Sequence, residues 1–153
     1  MNLILLAAFT VVEAVTVGTV VSLYEVASVV QALVLTLLIT FGLTAYTFQT
    51  KRDFTNMGVG LFIGLLCLLG VGVLNLFLGS TGLDLIIAGA GALVFSLFIV
   101  FDTQASALCA AFYLQMMMTK LSPEEYILAT INLYLDIINL FLELLRLLGD
   151  RRN

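Results

Sequence analysis

The stretch LIIAGAGALVFSLFIVFD, residues 85–102, runs without a charged side chain until Asp102 closes it. It shows no polar stripe of the kind that turns a helix toward water. At 1.5 Å per residue, a helix of this length crosses most of the ~30 Å of hydrocarbon in a bilayer. Three further runs have the same character. The spans are predicted at about 3–23, 26–48, 57–78 and 83–101. The turns between them are short: Tyr24-Glu25, then Thr50-Lys51-Arg52-Asp53, then Gly79-Ser80-Thr81-Gly82. Turns this short make neighbouring spans antiparallel partners. The expected fold is all-α, a multi-pass transmembrane helical bundle, with the whole chain 1–153 forming one membrane domain.

Composition agrees. Of 153 residues, 62% are hydrophobic and 10% charged, and the mean hydropathy is +1.18. Soluble domains are nearer half apolar and a quarter charged. The net charge of −4 and the lack of a basic patch speak against a nucleic-acid partner. Cys67 and Cys109 lie in apolar runs and read as packing residues, with no disulfide framework or metal spacing. Histidine is absent, so a pH response would fall to carboxylates or lysine. There is no basic leading segment before the first run, so the first helix reads as a retained span and not a cleaved signal. No nucleophile elbow or phosphate loop occurs, and no enzyme or cofactor is expected.

The C-terminal third is less plain. Residues 105–114 are apolar but short, and the sequence allows them to extend the fourth span, lie at the interface, or dip in and out. Ser122-Pro123-Glu124-Glu125 is a helix start, with an N-cap serine, proline at the first helical position and a capping box. The helix it opens, about 123–148, carries Asn132, Asp136 and Asn139 at spacings of four and three, hence on one face. Such a helix suits the centre of a bundle or a re-entrant path. Lys51, Arg52 and Lys120 fall on one side of the membrane if spans alternate, and that side is then cytosolic. Arg151 and Arg152 join it if the last helix is re-entrant or 104–119 adds a crossing. The basic tail slightly favours those two readings over a simple span.

The functional signal is a set of acids in apolar surroundings. A carboxylate at membrane depth costs about 2.5 kcal/mol or more. Asp102 and Asp136 are the main candidates. Two carboxyls held close in a low-dielectric site cannot both ionise cheaply, and they share a proton. Such a pair closes a pore when bridged and opens it, or binds a cation such as calcium, when charged. The blander alternative is an interfacial Asp102 and a hydrogen-bonded structural Asp136. Glu13, inside the first span, is a third intramembrane acid and a candidate helper, or else a helix-to-helix hydrogen bond. Asp84 and Glu124 begin helices; they suit the positive end of the helix dipole or a vestibule that concentrates cations. Gly60 and Gly64 form a GxxxG pair and Ala88 and Ala92 a small-xxx-small pair, both signs of close helix contact. Met116-Met117-Met118 reads as apolar filler.

Several stretches together resemble the transmembrane Bax inhibitor motif family. They are Phe101-Asp102-Thr103-Gln104, Leu121-Ser122-Pro123-Glu124-Glu125-Tyr126 and Leu133-Tyr134-Leu135-Asp136-Ile137-Ile138-Asn139-Leu140-Phe141. Phe9-Thr10-Val11-Val12-Glu13-Ala14, Phe41-Gly42-Leu43-Thr44-Ala45-Tyr46-Thr47 and Lys51-Arg52-Asp53-Phe54 agree. The likeness covers about 3–104 and 120–148. It implies a bundle with a central final helix, and an aspartate pair, Asp102 and Asp136 here, that gates a calcium leak in response to pH. It also implies residence in Golgi or endoplasmic reticulum membranes and suppression of apoptosis. Three departures stand out. The family has further spans ahead of the one beginning at Leu3, one of which carries a basic partner for the aspartates. It spaces its two aspartates more closely, so 105–118 reads as inserted material. It often has His where this chain has Gln104.

The expectation is a membrane protein that passes or regulates calcium from intracellular stores, with Asp102 and Asp136 as gate and possible calcium ligands, Glu13 as helper, and Asp84 and Glu124 at the mouths. The alternative is a non-conducting interaction protein that binds calcium-release channels or cell-death regulators through its helix faces.

Overall fold

A computed structural model describes residues 3–116 and 124–149. It contains five α-helices: α1 Leu3–Val21, α2 Val26–Gln49, α3 Gly58–Leu78, α4 Thr81–Met116 and α5 Glu124–Leu148. A 3₁₀ turn, Thr55–Met57, leads into α3. Lipid leaves a spanning backbone no partner but itself, so helices are the expected solution. The threonine hydroxyls follow the same rule. Thr10, Thr16, Thr19, Thr36 and Thr47 each donate to the carbonyl four residues back, at 2.7–2.9 Å. Among the described residues, three stretches are long and apolar enough to cross a membrane: Val26–Gln49, Thr55–Leu78 and Thr81–Leu108. The shorter α1 is apolar along its length.

The apolar stretch after Gln104 resolves in favour of extension. Helix α4 continues without a break to Met116, because nothing between Asp102 and Met116 interrupts it: the chain's one proline is Pro123. The capping box at Ser122 and Pro123 lies outside the described residues, as do Met117, Met118 and Lys120; Glu124 opens α5.

Helices α4 and α5 form the principal pair, with α2 packed on both and α3 on α4. Tyr24, Ala32, Ile99, Leu140, Leu144 and Leu145 make the buried cluster. Residues Ser28, Ala32, Thr36 and Thr47 form the buried stripe of α2; their small size lets the helix lie close to its neighbours. In contrast, α1 joins the cluster only near its C-terminal end, through Val20 and Val21. Val11, Val12 and Val15 are more than 60% exposed.

The glycine pattern distributes differently from the GxxxG expectation. Gly64 faces α4, where its Cβ would meet Val94 at 3.8 Å, but nothing lies within 4 Å of Gly60. The close approach is on α4 instead. Ala88 is fully buried, and a Cβ at Gly91 would lie 2.8 Å from Glu143 Cδ. Cys67 is exposed on α3, so it packs against no protein neighbour of the buried cluster; the Cys109 side chain lies outside the described residues.

The ends of the bundle are distinguishable. The connection bearing Lys51 and Arg52 binds α4 at Gln104. At the opposite end, Gly79 closes α3 with φ 62°, a left-handed cap that glycine adopts without strain. Gly149, just past α5, lies against the Tyr24 ring at that same end as Asp84 and Arg146. Helix α5 therefore runs back across the bundle, antiparallel to α4. The described end of α5, at Gly149, lies at the end of the bundle away from Lys51 and Arg52; Arg151 and Arg152 lie outside the described residues.

Filling the α4–α5 contact tests this packing. Gly91→Leu is expected to lower stability by about 1–3 kcal/mol through overpacking against Glu143. Gly60→Leu is expected to change it little. Thermal unfolding in detergent, followed by loss of the monodisperse peak, separates the two.

Candidate functional site

Asp102 sits on α4 and Asp136 on α5, the two most extensively packed helices. Both carboxyls are buried, at 9% and 8% relative exposure. They lie within hydrogen-bonding reach of each other. The two aspartates that the sequence reading treated as a candidate pair are brought together by α4 and α5. A direct bond between two carboxyls requires one proton between them, donated from one O–H to an oxygen of the other. Asp136 Oδ2, Thr103 Oγ1 and Ser106 Oγ are buried without a hydrogen-bond partner. Asp102 and Ser106 are four apart on α4, so their side chains share a face.

Glu13 is not brought to this site. It is partly exposed on α1, whose contact with the cluster comes from Val20 and Val21. Among the described residues the expected helper role lacks a contact: the α1 hydroxyls Thr10, Thr16 and Thr19 bond to their own helix backbone. The Glu124 side chain lies outside the described residues.

Asp84 does occupy a mouth, in company the sequence reading did not anticipate. It forms an ion pair with Arg146 of α5 and accepts from Asn75 Nδ2 at 3.3 Å. Asn75 Oδ1 in turn accepts the Ser80 N–H at 3.2 Å, which fixes the α3–α4 turn. Glu143 Oε2 lies 3.7 Å from Arg146 Nη1. The side chains of Asp84, Asn139, Glu143 and Arg146 line a cleft of about 550 Å³ whose remaining walls are mostly apolar residues of α3 and α4. Asp84 precedes Asp102 on α4 by about 27 Å of helix rise, close to a hydrocarbon thickness. The aspartate pair and the Asp84 cluster therefore belong to opposite ends of the membrane-embedded bundle.

One pattern joins them. Asn132, Asp136, Asn139, Glu143 and Arg146 follow spacings of four, three, four and three along α5, so the polar face recognised at Asn132–Asn139 continues to the helix end. The signal was present in the sequence as Glu143 and Arg146 interrupting a leucine-rich run.

Gln104 is the other residue whose role only the structure reveals. Its Nε2 donates to the Arg52 carbonyl at 2.9 Å, and its Oε1 accepts the Phe54 N–H at 2.8 Å. In the same connection Asp53 accepts from both the Thr55 hydroxyl and the Thr55 N–H. These bonds hold the Asp53 carboxyl below its ordinary pKa. Among the described residues no group of three or more His, Cys, Asp or Glu is arranged to hold a metal ion.

Arg146 is expected to be the stabilising member of its cluster. Arg146→Gln removes the guanidinium that pairs with Asp84 and Glu143 and should lower stability by about 1–2 kcal/mol, less than a fully buried pair because all three groups are partly exposed. Combining it with Asp84→Asn should recover part of that loss. Thermal unfolding of the two variants provides the comparison.

The family model described as "Inhibitor of apoptosis-promoting Bax1" matches residues 1–153. Among similar proteins is Protein lifeguard 4 of mouse, 49% identical over 148 residues, which cover 97% of this chain and 58% of that protein. A Golgi anti-apoptotic protein of vaccinia virus (strain Lister) is 47% identical over the same shares of each chain. Bax inhibitor 1 of Schizosaccharomyces pombe is 37% identical over 153 residues, 99% of this chain and 53% of that protein. The chain thus spans little more than half the length of these relatives.

Proposed function

Since the chain belongs to the Bax inhibitor family, we propose that it regulates the escape of calcium from Golgi or endoplasmic reticulum stores and thereby restrains apoptosis. The observation that carries this reading is the buried contact between Asp102 and Asp136. With one proton between them the two carboxyls hold α4 to α5. With none they repel at short range in a low-dielectric setting, and the seam opens. The same charges then attract a cation. Calcium takes six to eight oxygens; two carboxylates and the hydroxyls of Thr103 and Ser106 offer at most six, the low end of that range. With water completing the shell, the pair would pass an ion along. The polar face of α5 supports a path from the pair toward the cleft at Asp84, Glu143 and Arg146.

A second reading draws on a different observation. Helix α1 and the outer face of α3 are exposed along most of their length. Those surfaces support a role in which the chain binds other membrane proteins, such as calcium-release channels or cell-death regulators, without conducting.

Calcium efflux from liposomes separates the two. The purified chain is expected to release calcium faster at pH 8 than at pH 6, because deprotonation removes the bridge. Asp136→Asn should abolish that pH dependence and reduce efflux by at least about tenfold, the scale of one charged group in a pore. A folded, monodisperse wild-type chain that releases no calcium across this range would exclude conduction by this chain.

A further inference from the structure

Helix α4 carries three different contacts on nearly successive residues. The Phe101 ring lies 3.0 Å from where a Cβ at Gly58 would stand, against the start of α3. Asp102 meets Asp136 of α5. Gln104 binds the α2–α3 connection through both ends of its amide. Successive helix residues are rotated by about 100°, so one turn can serve three neighbours.

The connection is itself well fixed. The Phe54 ring packs on Tyr46 of α2, with centroids 6.4 Å apart. Asp53 holds the start of the 3₁₀ turn through Thr55. The bonds from Gln104 go to the backbone on either side of Asp53, so they track the path of the chain and not a side-chain rotamer. The charged groups around the pair are few. Helices α2 and α3 carry none, and the connection supplies Lys51, Arg52 and Asp53. The charges of α5 that follow Asp136, Glu143 and Arg146, belong to the Asp84 end, and the Glu124 and Glu125 side chains lie outside the described residues.

We propose that Gln104 is a positioning residue that couples the Asp102–Asp136 contact to the α2–α3 connection, so that the connection moves with α4 when the contact breaks. The inference rests on the reading of that contact as a gate. It assigns the Lys51–Asp53 segment a part in the gate's movement, through the one side chain that bonds the connection to α4 on both sides of Asp53.

Residue-resolved hydrogen exchange of the chain in lipid nanodiscs tests it, with the Phe54 amide as reporter. Gln104→Ala should speed Phe54 exchange about tenfold, the scale of one lost hydrogen bond, and leave amides within α3, such as Leu68, unchanged. Asp136→Ala should speed Phe54 exchange by about threefold or more in the otherwise native chain, and add nothing in the Gln104→Ala background, as expected of two sites joined through the substituted residue. If Asp136→Ala also lowers protection along α3, Asp136→Leu, which keeps a similar side-chain volume but makes no hydrogen bond to Asp102, reads the same coupling. Phe54 exchange indifferent to substitution at Asp136, or raised equally in both backgrounds, would overturn the proposal. The readout needs no ion flux, so a chain that conducts nothing leaves this test intact, and a failed coupling leaves the efflux experiment intact.

Discussion

Two carboxyl groups pressed together inside an apolar bundle set the terms for the rest of this molecule. Hydrocarbon packing alone does not fix how α4 lies on α5, since lipid tails are as apolar as leucine. The contact between Asp102 and Asp136 does so at one end, and the ion pair between Asp84 and Arg146 at the other. Between them, small residues on α4 let the helices approach closely, with Gly91 against Glu143 and Ala88 fully buried. The first of these clasps depends on a proton. The second joins opposite charges and holds without one. On the proposed reading, that asymmetry assigns a proton-controlled opening to the aspartate end.

Much of the site could be read from residue types alone. Asp102 and Asp136 announce themselves because each interrupts a run with no other charge nearby, and Asn132 and Asn139 mark the face that Asp136 shares. Their pairing could not be read from spacing, because it depends on how α4 crosses α5. Asp84 was identifiable as a helix-start acid, but its partner was not: Arg146 lies 62 positions away in sequence and looks like the basic end of a terminal helix. Gln104 appeared only as a departure from a family pattern, yet its amide ties α4 to the α2–α3 connection.

The misjudged features share a cause. A GxxxG spacing states that two glycines lie on one side of a helix, but not what that side faces; Gly60 faces nothing within 4 Å. Residues 105–114 were too short for a span of their own, and which of the paths left open they take depends on the helix they extend. In each case local pattern was legible and its tertiary partner was not.

A reversible cross-link at the aspartate pair tests the central claim most directly. The chain would carry Asp102→Cys and Asp136→Cys, with Cys67→Ser and Cys109→Ser removing the native thiols, and would be oxidised mildly in liposomes. Gly89→Cys with Leu147→Cys, where a Cβ at position 89 would stand 4.0 Å from Leu147 Cδ1, serves as the control pair. A bridge that forms at 102–136 at least as readily as at the control pair, and that reduction reverses, is the predicted result. Failure to bridge at 102–136 where the control pair does would contradict the account.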